Sequence, residues 1–516
     1  MRTVIGCDIG TSGAKAMVVS EKGKVLSSVT VEYPLLTPHP GWAEQHPDTW
    51  FKAATQAVAG AVRQAGIAAR EIQAIGLSGQ MHSSVFLDSD GKVLRPALLW
   101  CDTRTHAECE DITRKIGMAH LKKWVSNPAL EGFTLPKILW VKKHEPKIYG
   151  RIAQVLLPKD YIRYRWTGEL ATDVSDAAGT LCFDVKNRKW SAELLGRLGV
   201  PLKWFPRVTE SQEISGHLTA SAAKALGLRA GIPIVGGGAD NACGAVGNGI
   251  IRSGDVMASL GTSGVFLAHS DKVQIDPQLR AHTFCHSVPE KWYLMGVMLS
   301  AGFSLRWYRD TLGRWEKETA KKRGIDPYDL LSQEASRAPE GSEGLIFLPY
   351  LMGERTPHKD PLVRAAFVGA GARHGREHFA RSVFEGITFG MRDSLEIFRE
   401  LKVPVRRVVA TGGGAVNPFW RQLQADIYGE EVVTVNSKEG PGYGAAILAM
   451  VGANFYSNLK DACGNLIKVT THTYPHKASV ARYNDWYGVF KGLYPALREP
   501  FRELGKVLEK EKQAGT

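Results

Sequence analysis

The sequence has few cysteines, no long apolar segment and no leader-like start. Its seven cysteines among 516 residues are far apart and form no Cys-x-x-Cys pair. This argues against a disulfide framework or a structural zinc site and favours a reducing compartment. No run of roughly 18 apolar residues occurs, so no transmembrane helix is expected. The first residues lead into an apolar strand, not a secretory signal. These absences predict a cytoplasmic protein that does not contact a membrane.

One segment has the composition of a metal site. His282, Cys285 and His286 lie close together in the sequence. Their spacing fits neither a helical histidine pair nor a zinc knuckle. We therefore expect this segment to be a packed strand end.

Blocks of like charge are also missing. Lys and Arg number 65 against 52 Asp and Glu, a net charge of +13, but the basic residues are scattered and are not interleaved with aromatic ones. This pattern favours small anionic partners such as nucleotide phosphates and disfavours nucleic-acid binding. With 44% hydrophobic residues, the chain is long enough for at least two domains, and no low-complexity linker separates them.

Two copies of Gly-Thr-Ser-Gly organise the sequence. The first, at 10–13, follows an apolar run that contains Asp8, and the second, at 261–264, follows a glycine run that ends at Asp240. Short Gly/Ser/Thr runs are usually simple turns. Here each copy lies at the edge of a β-branched strand, where its N–H groups and hydroxyls can point at a phosphate. The pair predicts two related domains that hold one polyphosphate between them.

The apolar pattern predicts alternating strands and helices. A strand meander surrounds the first glycine turn, unlike a Rossmann unit, in which a helix follows the glycines directly. Strands are predicted at 3–9, 14–19, 25–31, 72–77, 85–87, 97–100 and 405–410. Helices are predicted at 49–65 with Asp48 as the N-cap, through much of 104–232, and at 376–401, 418–427, 445–451 and 497–512. The result is an α/β chain with a broad cleft and a hinge near 240–260.

Nine motifs, spread over almost the whole chain, carry a resemblance to a known family. They include GCDIGTSGAKA, GGGADNACGAVG and TGGGAVNPFWRQLQAD, and they lie at 6–16, 78–88, 132–146, 156–169, 175–180, 236–247, 259–264, 348–358 and 411–426. Together they resemble the FGGY carbohydrate kinases. Within that family, the segments 80–82 and 353–357 are more similar to xylulokinases than to glycerol kinases.

The resemblance implies a fold with two domains, each of which binds one of the two ligands. The fold would be α/β, with two actin/hexokinase/Hsp70-like (ribonuclease H-like) domains flanking a deep catalytic cleft. Residues 1–245 would form the N-terminal, sugar-binding domain with the first phosphate turn. Residues 246–516 would form the C-terminal, nucleotide-binding domain.

The resemblance also implies an activity. The chain would use ATP and Mg²⁺ to phosphorylate a ketose, D-xylulose, at O5 to give D-xylulose 5-phosphate, with ribulose, gluconate or glycerol as alternative substrates. Its partners would be the sugar and ATP, and homodimers occur among relatives. A different class, an actin- or Hsp70-like nucleotide switch, would share the phosphate turns. It would have no use for Asp240 or for the segment 80–82.

Two carboxylates would carry the chemistry. Asp240 would be the general base that takes the proton of the terminal sugar hydroxyl; otherwise it is an ordinary aspartate at the head of a helix that begins near Asn241. Asp8 would hold Mg²⁺ through water, with a structural Asx turn as the alternative. The residues expected to contact the phosphates are Gly10, Thr11, Ser12, Gly261 and Thr262.

The sugar contacts would follow a buried strand. The resemblance implies that Met81 and His82 bind the sugar, with Asp102 and Asn241 as weaker candidates. From the residues alone, Met81 would be core packing and His82 a buried, hydrogen-bonded histidine.

The adenine and ribose would lie on a glycine-rich shelf. Glycines permit close backbone approach to a ligand, although a plain strand-to-helix turn and a core tryptophan explain the same residues. The expected nucleotide contacts are Trp307, Gly413, Gly414, Ala415 and Asn417.

The sequence departs from the family pattern at two positions. Cys101 stands before Asp102 where many relatives carry Gln or Asn, and Ala239 stands directly before Asp240. Neither departure removes a charge or hydroxyl that the transfer needs. Both can alter which ketose fits.

Overall fold

The computed structural model of the protein describes residues 1–437 and 439–514. The elements of the first half are β1 (Thr3–Ile9), β2 (Gly13–Ser20), β3 (Val25–Glu32), β4 (Glu44–Gln45), α1 (Pro47–Ala65), β5 (Ile72–Gly79), β6 (Val85–Leu87), β7 (Ala97–Leu98), α2 (His106–Ile116), α3 (Met118–Val125), α4 (Thr134–His144), α5 (Pro146–Tyr149), β8 (Gln154–Leu156), α6 (Pro158–Thr167), β9 (Ala171–Asp173), α7 (Val174–Ala178), β10 (Phe183–Asp184), β11 (Lys189–Trp190), α8 (Ala192–Leu198), β12 (Arg207–Thr209), β13 (Ile214–His217), α9 (Ala220–Leu226), β14 (Pro233–Val235), β15 (Gly238–Ala239) and α10 (Asp240–Gly247).

The second half continues the alternation of strands and helices. Its elements are β16 (Gly254–Leu260), β17 (Gly264–Ser270), β18 (His282–Cys285), β19 (Trp292–Met298), α11 (Gly302–Thr311), α12 (Arg314–Arg323), α13 (Pro327–Ala335), β20 (Ile346–Leu348), β21 (Ala366–Val368), α14 (Arg376–Glu400), β22 (Val405–Gly412), α15 (Pro418–Tyr428), β23 (Val432–Val435), α16 (Pro441–Gly452), α17 (Leu459–Leu466), β24 (Val469–Thr473) and α18 (Lys477–Ala514).

Two mixed sheets of seven strands each carry the fold. The first has the order β13-β14-β5-β1-β2-β3, with β15 also paired to β5, and the second has the order β18-β19-β17-β16-β22-β23-β24. In each sheet a Gly-Thr-Ser-Gly turn joins an antiparallel hairpin, β1–β2 or β16–β17, and the first strand of the hairpin pairs in parallel with β5 or β22. The repeated arrangement confirms the predicted α/β fold with two related sheets.

The register of β5 brings two carboxylates to the same level of the first sheet. On one edge, Asp8 of β1 pairs with Ser78. On the other edge, Gly238 of β15 pairs with the same Ser78, and Asp240 follows two residues later. Because the strands are parallel, their carboxyl ends lie together at one edge of the sheet, so the two aspartates flank the end of β5.

A helix from the second half packs against the first sheet through backbone contacts. The main contact partners of α16 are β1, β5 and α10. A Cβ added at Gly6 would overlap the carbonyl oxygen of Gly442, and one added at Gly444 would overlap that of Cys243. Only glycine allows this approach, because any side chain would have to displace a main-chain oxygen.

Two of the predicted elements differ in the structure. The N-cap of α1 is His46, whose side chain accepts from the N–H of Asp48, and not Asp48 itself. Asp48 lies in the first turn and accepts a hydrogen bond from Tyr161 at 2.6 Å. The last helix begins at Lys477 rather than near 497, and both Pro495 and Pro500 lie inside it.

The segment with the composition of a metal site forms a strand, as predicted. The segment from His282 to Cys285 is a fully buried strand. Within 1–437 and 439–514, no three His, Cys, Asp or Glu side chains are arranged to hold a metal ion. All seven cysteines are free.

No helix within 1–437 and 439–514 has the length and apolar composition needed to cross a membrane.

Candidate active site

Asp240 lies at the start of α10, in surroundings that favour its protonated form. Its Oδ1 accepts hydrogen bonds from the backbone N–H of Asn241 at 2.7 Å and from the Asn241 side chain at 3.0 Å. Burial and then the nearby charge of Asp8 raise the pKa of Asp240 to about 7, while the two hydrogen bonds from Asn241 lower it. Both hydrogen bonds use Oδ1, which leaves Oδ2 for another proton donor. A carboxylate with a pKa near neutrality is suited to general base catalysis.

Asp8 has the properties of a ligand for a hard cation. Burial raises its pKa to about 6, against the lowering effects of the Ser78 hydroxyl and the Lys15 ammonium. Its Oδ1 is buried and has no hydrogen-bond partner among the described residues. Mg²⁺ takes oxygen ligands, commonly one or two carboxylates plus water and phosphate oxygens. The residues present therefore fit a magnesium ion that arrives with a phosphate group.

The first glycine turn accepts hydrogen bonds from side chains of the N-terminal half of the chain. The N–H of Gly10 closes the turn on the carbonyl of Gly13 at 3.0 Å. The carbonyl of Gly10 accepts from Tyr33 at 2.6 Å, and the hydroxyl of Thr11 accepts from Trp100 at 2.9 Å. Ser12 is exposed at the tip of the turn. The turn is therefore preorganised, with Ser12 facing solvent.

The second turn is built in the same way and is joined to a helix. The N–H of Gly261 closes on the carbonyl of Ser263 at 3.0 Å. The carbonyls of Gly261 and Thr262 accept from the first residues of α11, Gly302 at 2.9 Å and Phe303 at 3.0 Å. Gly261 and Thr262 are exposed. The five predicted residues Gly10, Thr11, Ser12, Gly261 and Thr262 thus lie in two turns of the same sequence, one in each sheet.

His82 is buried with one ring nitrogen already engaged. Its Nδ1 forms a short hydrogen bond with the carbonyl of Gly179, and burial lowers the pKa of His82 to about 3. A neutral imidazole that bonds a carbonyl through Nδ1 carries its proton there, so Nε2 is an acceptor. The backbone of His82 is left-handed, with φ of 67°. The ring is therefore held in one orientation, and Nε2 can accept a hydrogen bond from a hydroxyl.

The other predicted sugar contacts divide into two groups. Met81 is buried, and its sulfur accepts from the side chain of Asn241 at 3.6 Å, so Met81 and Asn241 lie beside Asp240. Asp102, by contrast, has both oxygens occupied by protein donors: Ala43 N–H at 2.7 Å and the backbone and guanidinium of Arg104. Its geometry indicates a structural role, because it orients the guanidinium that covers the ring of Trp42.

The glycine shelf lies beside the second turn because of strand register. Leu260, the residue before that turn, pairs with Gly412 at the end of β22. A Cβ on Gly414 would overlap the side chain of Leu260, so this glycine is required for packing. Asn417 caps α15, accepting from the N–H groups of Phe419 at 2.9 Å and Trp420 at 3.3 Å. The structural explanations for these residues therefore hold, and they are compatible with a nucleotide on the shelf.

Trp307 lies on α11, the helix joined to the second turn. Its ring stacks on Phe347 with an interplanar angle of 9° and a centroid distance of 6.3 Å. The side chain is half-buried against the core of the second half. Its position is near the expected nucleotide, but its contacts in the structure are core contacts.

Family models match both halves of the chain. The N-terminal domain of the FGGY family of carbohydrate kinases matches residues 3–247, and the C-terminal domain of the same family matches residues 256–453. The chain belongs to the FGGY family of carbohydrate kinases. It is therefore a phosphotransferase that acts on a carbohydrate, with ATP as the phosphoryl donor that the family implies.

This FGGY kinase is similar to several curated and solved relatives. It is 40% identical over 494 residues to the xylulose kinase of Bacillus subtilis (strain 168), covering 96% of this chain and 97% of that one. It is 32% identical over 503 residues to the gluconokinase of the same organism, covering 97% of each. A solved ligand-bound xylulose kinase from Lactobacillus acidophilus superposes with a TM-score of 0.91 at 27% identity, covering 98% of this chain and 100% of that one.

Sequence reasoning missed a buried ionic group beneath the loop that leads to Asp240. The motifs at 156–169 and 175–180 contain four of its five charges, and Asp173 lies between them, but nothing in the sequence connects these residues to Asp240. Charged side chains inside otherwise apolar helices were the one available signal, because such residues are almost never fully buried unless paired. The group consists of Lys159, Asp160, Arg163, Asp173 and Asp176, all fully buried.

A second buried cation lies beside His82. The ammonium of Lys137 donates to the carbonyls of His82 at 3.1 Å and Gly132 at 2.7 Å. Burial lowers the pKa of Lys137 to about 7. Since both acceptors are main-chain oxygens, no sequence motif could reveal this contact.

Proposed function

We propose that this FGGY kinase transfers the γ-phosphoryl group of Mg²⁺-bound ATP to O5 of D-xylulose, giving D-xylulose 5-phosphate and ADP. The xylulose kinase relatives support the choice of sugar. The observation that carries the mechanism is a carboxylate, Asp240, with a pKa raised to about 7, at the sheet edge where Asp8 and the first phosphate turn also lie.

Asp240 acts as the general base. Its deprotonated Oδ2 accepts the proton of the sugar O5 hydroxyl as O5 bonds to the γ-phosphorus. The bond from that phosphorus to the bridging oxygen breaks, ADP leaves, and the proton stays on Asp240 until it passes to water. Because phosphoryl transfer needs positioning and electrostatic stabilisation more than covalent chemistry from the protein, one placed base is sufficient.

Asp8 and the two turns hold the phosphates. The unpaired Oδ1 of Asp8 would hold the cation, directly or through water. A magnesium ion bound there would neutralise part of the charge of the phosphates. The exposed tips, Ser12 in the first turn and Thr262 in the second, donate to phosphate oxygens from opposite sides. This arrangement requires the ATP to lie between the two sheets.

His82 and its neighbours hold the sugar. The Nε2 atom of His82 accepts a hydrogen bond from a sugar hydroxyl, and the side chain of Asn241 lies between Met81 and the base. A site whose polar groups need hydroxyl partners discriminates strongly against sugars that lack them, because those groups would remain unpaired. Specificity for one ketose therefore comes from His82 and Asn241.

The domain division at residues 245 and 246 belongs to the same proposal. Sugar binds the N-terminal part and nucleotide the C-terminal part, and the two close over the ligands to exclude water. A homodimer stays a prediction.

Gluconate is the competing substrate. The gluconokinase relative covers the chain as fully as the xylulose kinase does, at lower identity. Gluconate carries a carboxylate where D-xylulose carries a terminal hydroxymethyl group beside its ketone, so the two place different charge in the pocket. Glycerol and ribulose are the further alternatives.

A substrate panel tests the proposal. ADP release would be measured with D-xylulose, D-ribulose, L-ribulose, gluconate and glycerol, and with ATP alone, for the unaltered enzyme and for Asp240→Asn. We expect D-xylulose to give the highest kcat/KM, and Asp240→Asn to lose turnover. The matched control is Asp90→Asn, because the side chain of Asp90 is 70% exposed. If no sugar raised ADP release above the rate with ATP alone, the kinase mechanism would be wrong and a nucleotide switch favoured.

A further inference from the structure

The peptide bond between Gly238 and Ala239, just before Asp240, is held by a serine hydroxyl. The N–H of Ala239 donates to Oγ of Ser175 at 3.0 Å, and both residues are fully buried. That hydroxyl in turn donates to Oδ2 of Asp173 at 2.5 Å. Because its proton is committed to the carboxylate, the oxygen of Ser175 can only accept from Ala239, so the hydroxyl has one orientation.

The carboxylate that orients Ser175 is itself fixed. Oδ2 of Asp173 also accepts from Ser211 at 2.9 Å, and its Oδ1 lies 2.9 Å from the ammonium of Lys159. Lys159 pairs in addition with Asp160 at 2.6 Å and lies 3.4 Å from Asp176. A buried ion pair of this kind is a poor source of stability, since desolvation offsets most of the attraction, but it imposes one geometry. The network therefore acts as a rigid support.

The residues just before Asp240, Gly238 and Ala239, are closely packed against this network. A Cβ on Gly238 would overlap the hydroxyl of Ser287, and Ser287 lies 3.3 Å from the hydroxyl of Ser175. On its other edge, Ala239 pairs with Gly79 of β5. The peptide before the base is thus fixed by β5 on one side and by Ser175 on the other.

The same short segment also fixes the proposed sugar contact. Asp173 is the N-cap of α7, and Gly179 is its C-cap. The carbonyl of Gly179 is the group that holds the imidazole of His82. The proposed base and the proposed sugar-binding histidine, which lie far apart in the sequence, are therefore connected through the seven residues from Asp173 to Gly179.

We infer that Ser175, oriented by Asp173, is a positioning residue for Asp240: it holds the 238–239 peptide, and so the residue directly before the base, so that the carboxylate meets the sugar hydroxyl. This inference rests on the proposed role of Asp240 as base. Ser175 does not touch the substrate, and it acts through the peptide that it holds. Displacing a reacting group by about 1 Å can cost on the order of 100-fold in rate, so a single hydrogen bond can have a large effect.

Ser175→Ala tests this inference. We expect kcat to fall about 10- to 100-fold, while KM for ATP changes less than about twofold, because no contact in the network involves either phosphate turn. A loss of global structure would lower the melting temperature and the apparent kcat with both KM values unchanged, so kcat is calculated for the folded fraction measured by circular dichroism. Ser175→Cys is the second variant: it preserves the volume but offers a weaker acceptor, so its kcat should fall between those of the serine and alanine forms.

A double-mutant cycle with Asp240→Asn separates the inference from the proposed function. If Ser175 acts through the base, adding Ser175→Ala to Asp240→Asn should lower the residual turnover by less than about twofold. An effect equal to that in the unaltered enzyme would overturn the inference while leaving the base assignment intact. Full turnover of Asp240→Asn alone would overturn the base assignment instead.

The matched control is Ser27→Ala. The hydroxyl of Ser27 is also buried and also makes a hydrogen bond with the backbone, to the carbonyl of Ala61 at 2.7 Å. This hydrogen bond joins β3 to α1, away from the loop that leads to Asp240. We expect its kcat to stay within about twofold of the unaltered enzyme. Unaltered kcat in a folded Ser175→Ala or Ser175→Cys protein would contradict the inference.

Discussion

The carboxylates of Asp8 and Asp240 flank the end of one strand, and the charge of Asp8 raises the pKa of Asp240. The two side chains come from opposite edges of β5, 232 residues apart in the chain. Within the proposed mechanism, one carboxylate holds the cation while the other accepts a proton. Their different surroundings separate these roles: among the described residues, Asp240 accepts hydrogen bonds from Asn241 alone, whereas Asp8 has Ser78 and Lys15 as neighbours.

Asp240→Asn should remove the base while keeping the shape of the site. We expect kcat to fall by about 10²- to 10⁴-fold, the usual contribution of a general base. The nucleotide contacts are in other elements, so the dissociation constant of ATP, measured by calorimetry, should change less than about threefold. A variant that lost nucleotide binding in proportion to turnover would contradict this separation.

The pH dependence of kcat/KM for the sugar should report Asp240. The base works in its deprotonated form, and its pKa is raised from 3.8 to about 7 by burial and by Asp8. Activity should therefore be lost as the pH falls through about 7, approaching tenfold per pH unit below it. A profile measured from pH 5 to 9, with circular dichroism to exclude unfolding, checks this. An acid limb centred near pH 4 would mean that the surroundings do not raise the pKa of this group.

His82→Asn should weaken sugar binding specifically. Asparagine tolerates the left-handed backbone at this position but cannot place an acceptor where Nε2 lies. Loss of one buried hydrogen bond predicts a KM for the sugar about 5- to 100-fold higher, with KM for ATP unchanged. The control is His120→Asn, since His120 is exposed and its Nδ1 also bonds a backbone carbonyl, that of Ile116 at 3.0 Å. Equal sugar KM values in the two variants would exclude a role for Nε2.

Gly444→Ala should destabilise the contact between α16 and α10. Its Cβ would overlap the carbonyl oxygen of Cys243, and main-chain atoms cannot move aside as a flexible side chain can. We expect a loss of about 3 kcal/mol in the free energy of unfolding, measured by urea denaturation. Gly492→Ala in α18 is the control, because a Cβ there meets open space and helix propensity favours alanine by about 1 kcal/mol. If both variants were equally stable, the close helix contact would be absent in solution.

Glu354 should make the protein less stable as the pH rises. Burial raises its pKa from 4.5 to about 8, although the N–H groups of Arg355 and Leu299 lower it. The folded state therefore binds a proton that the unfolded state releases. This contribution is fully present below pH 4.5 and is lost as the pH rises through about 8, by up to about 1.4 kcal/mol per pH unit.

Glu354→Gln should reduce that slope, because the amide does not titrate. Asp393, whose pKa burial raises to about 7, contributes in the same direction, so part of the slope should remain. Melting temperatures measured from pH 5 to 8.5 check this, with Glu318→Gln, at an exposed position, as the control. A slope that Glu354→Gln leaves unchanged would show that Glu354 does not bind the proton.

Local patterns in the sequence predicted several of the elements. The strands β1, β2, β3 and β5 and the helices α14 and α15 agree with their predicted ranges to within about two residues, because apolar period and turn residues are local signals. The prediction for Asp48 was wrong because Pro47 occupies the first helical position, which makes His46 the cap. The start of α18 was wrong because its aromatic side chains Tyr483, Tyr487 and Phe490 pack into the core of the second half, and this contact is not local.

The sequence by itself determined the two hairpins, their glycine turns and the candidate pair Asp8 and Asp240, because motifs and spacing are written along the chain. Only the tertiary structure decided how these groups behave. The raised pKa of Asp240, the tautomer of His82 and the hydrogen bond from the 238–239 peptide to Ser175 depend on burial and on partners far away in the sequence. Burial and charge act through space, and the spatial neighbours of a residue exist only once the chain has folded.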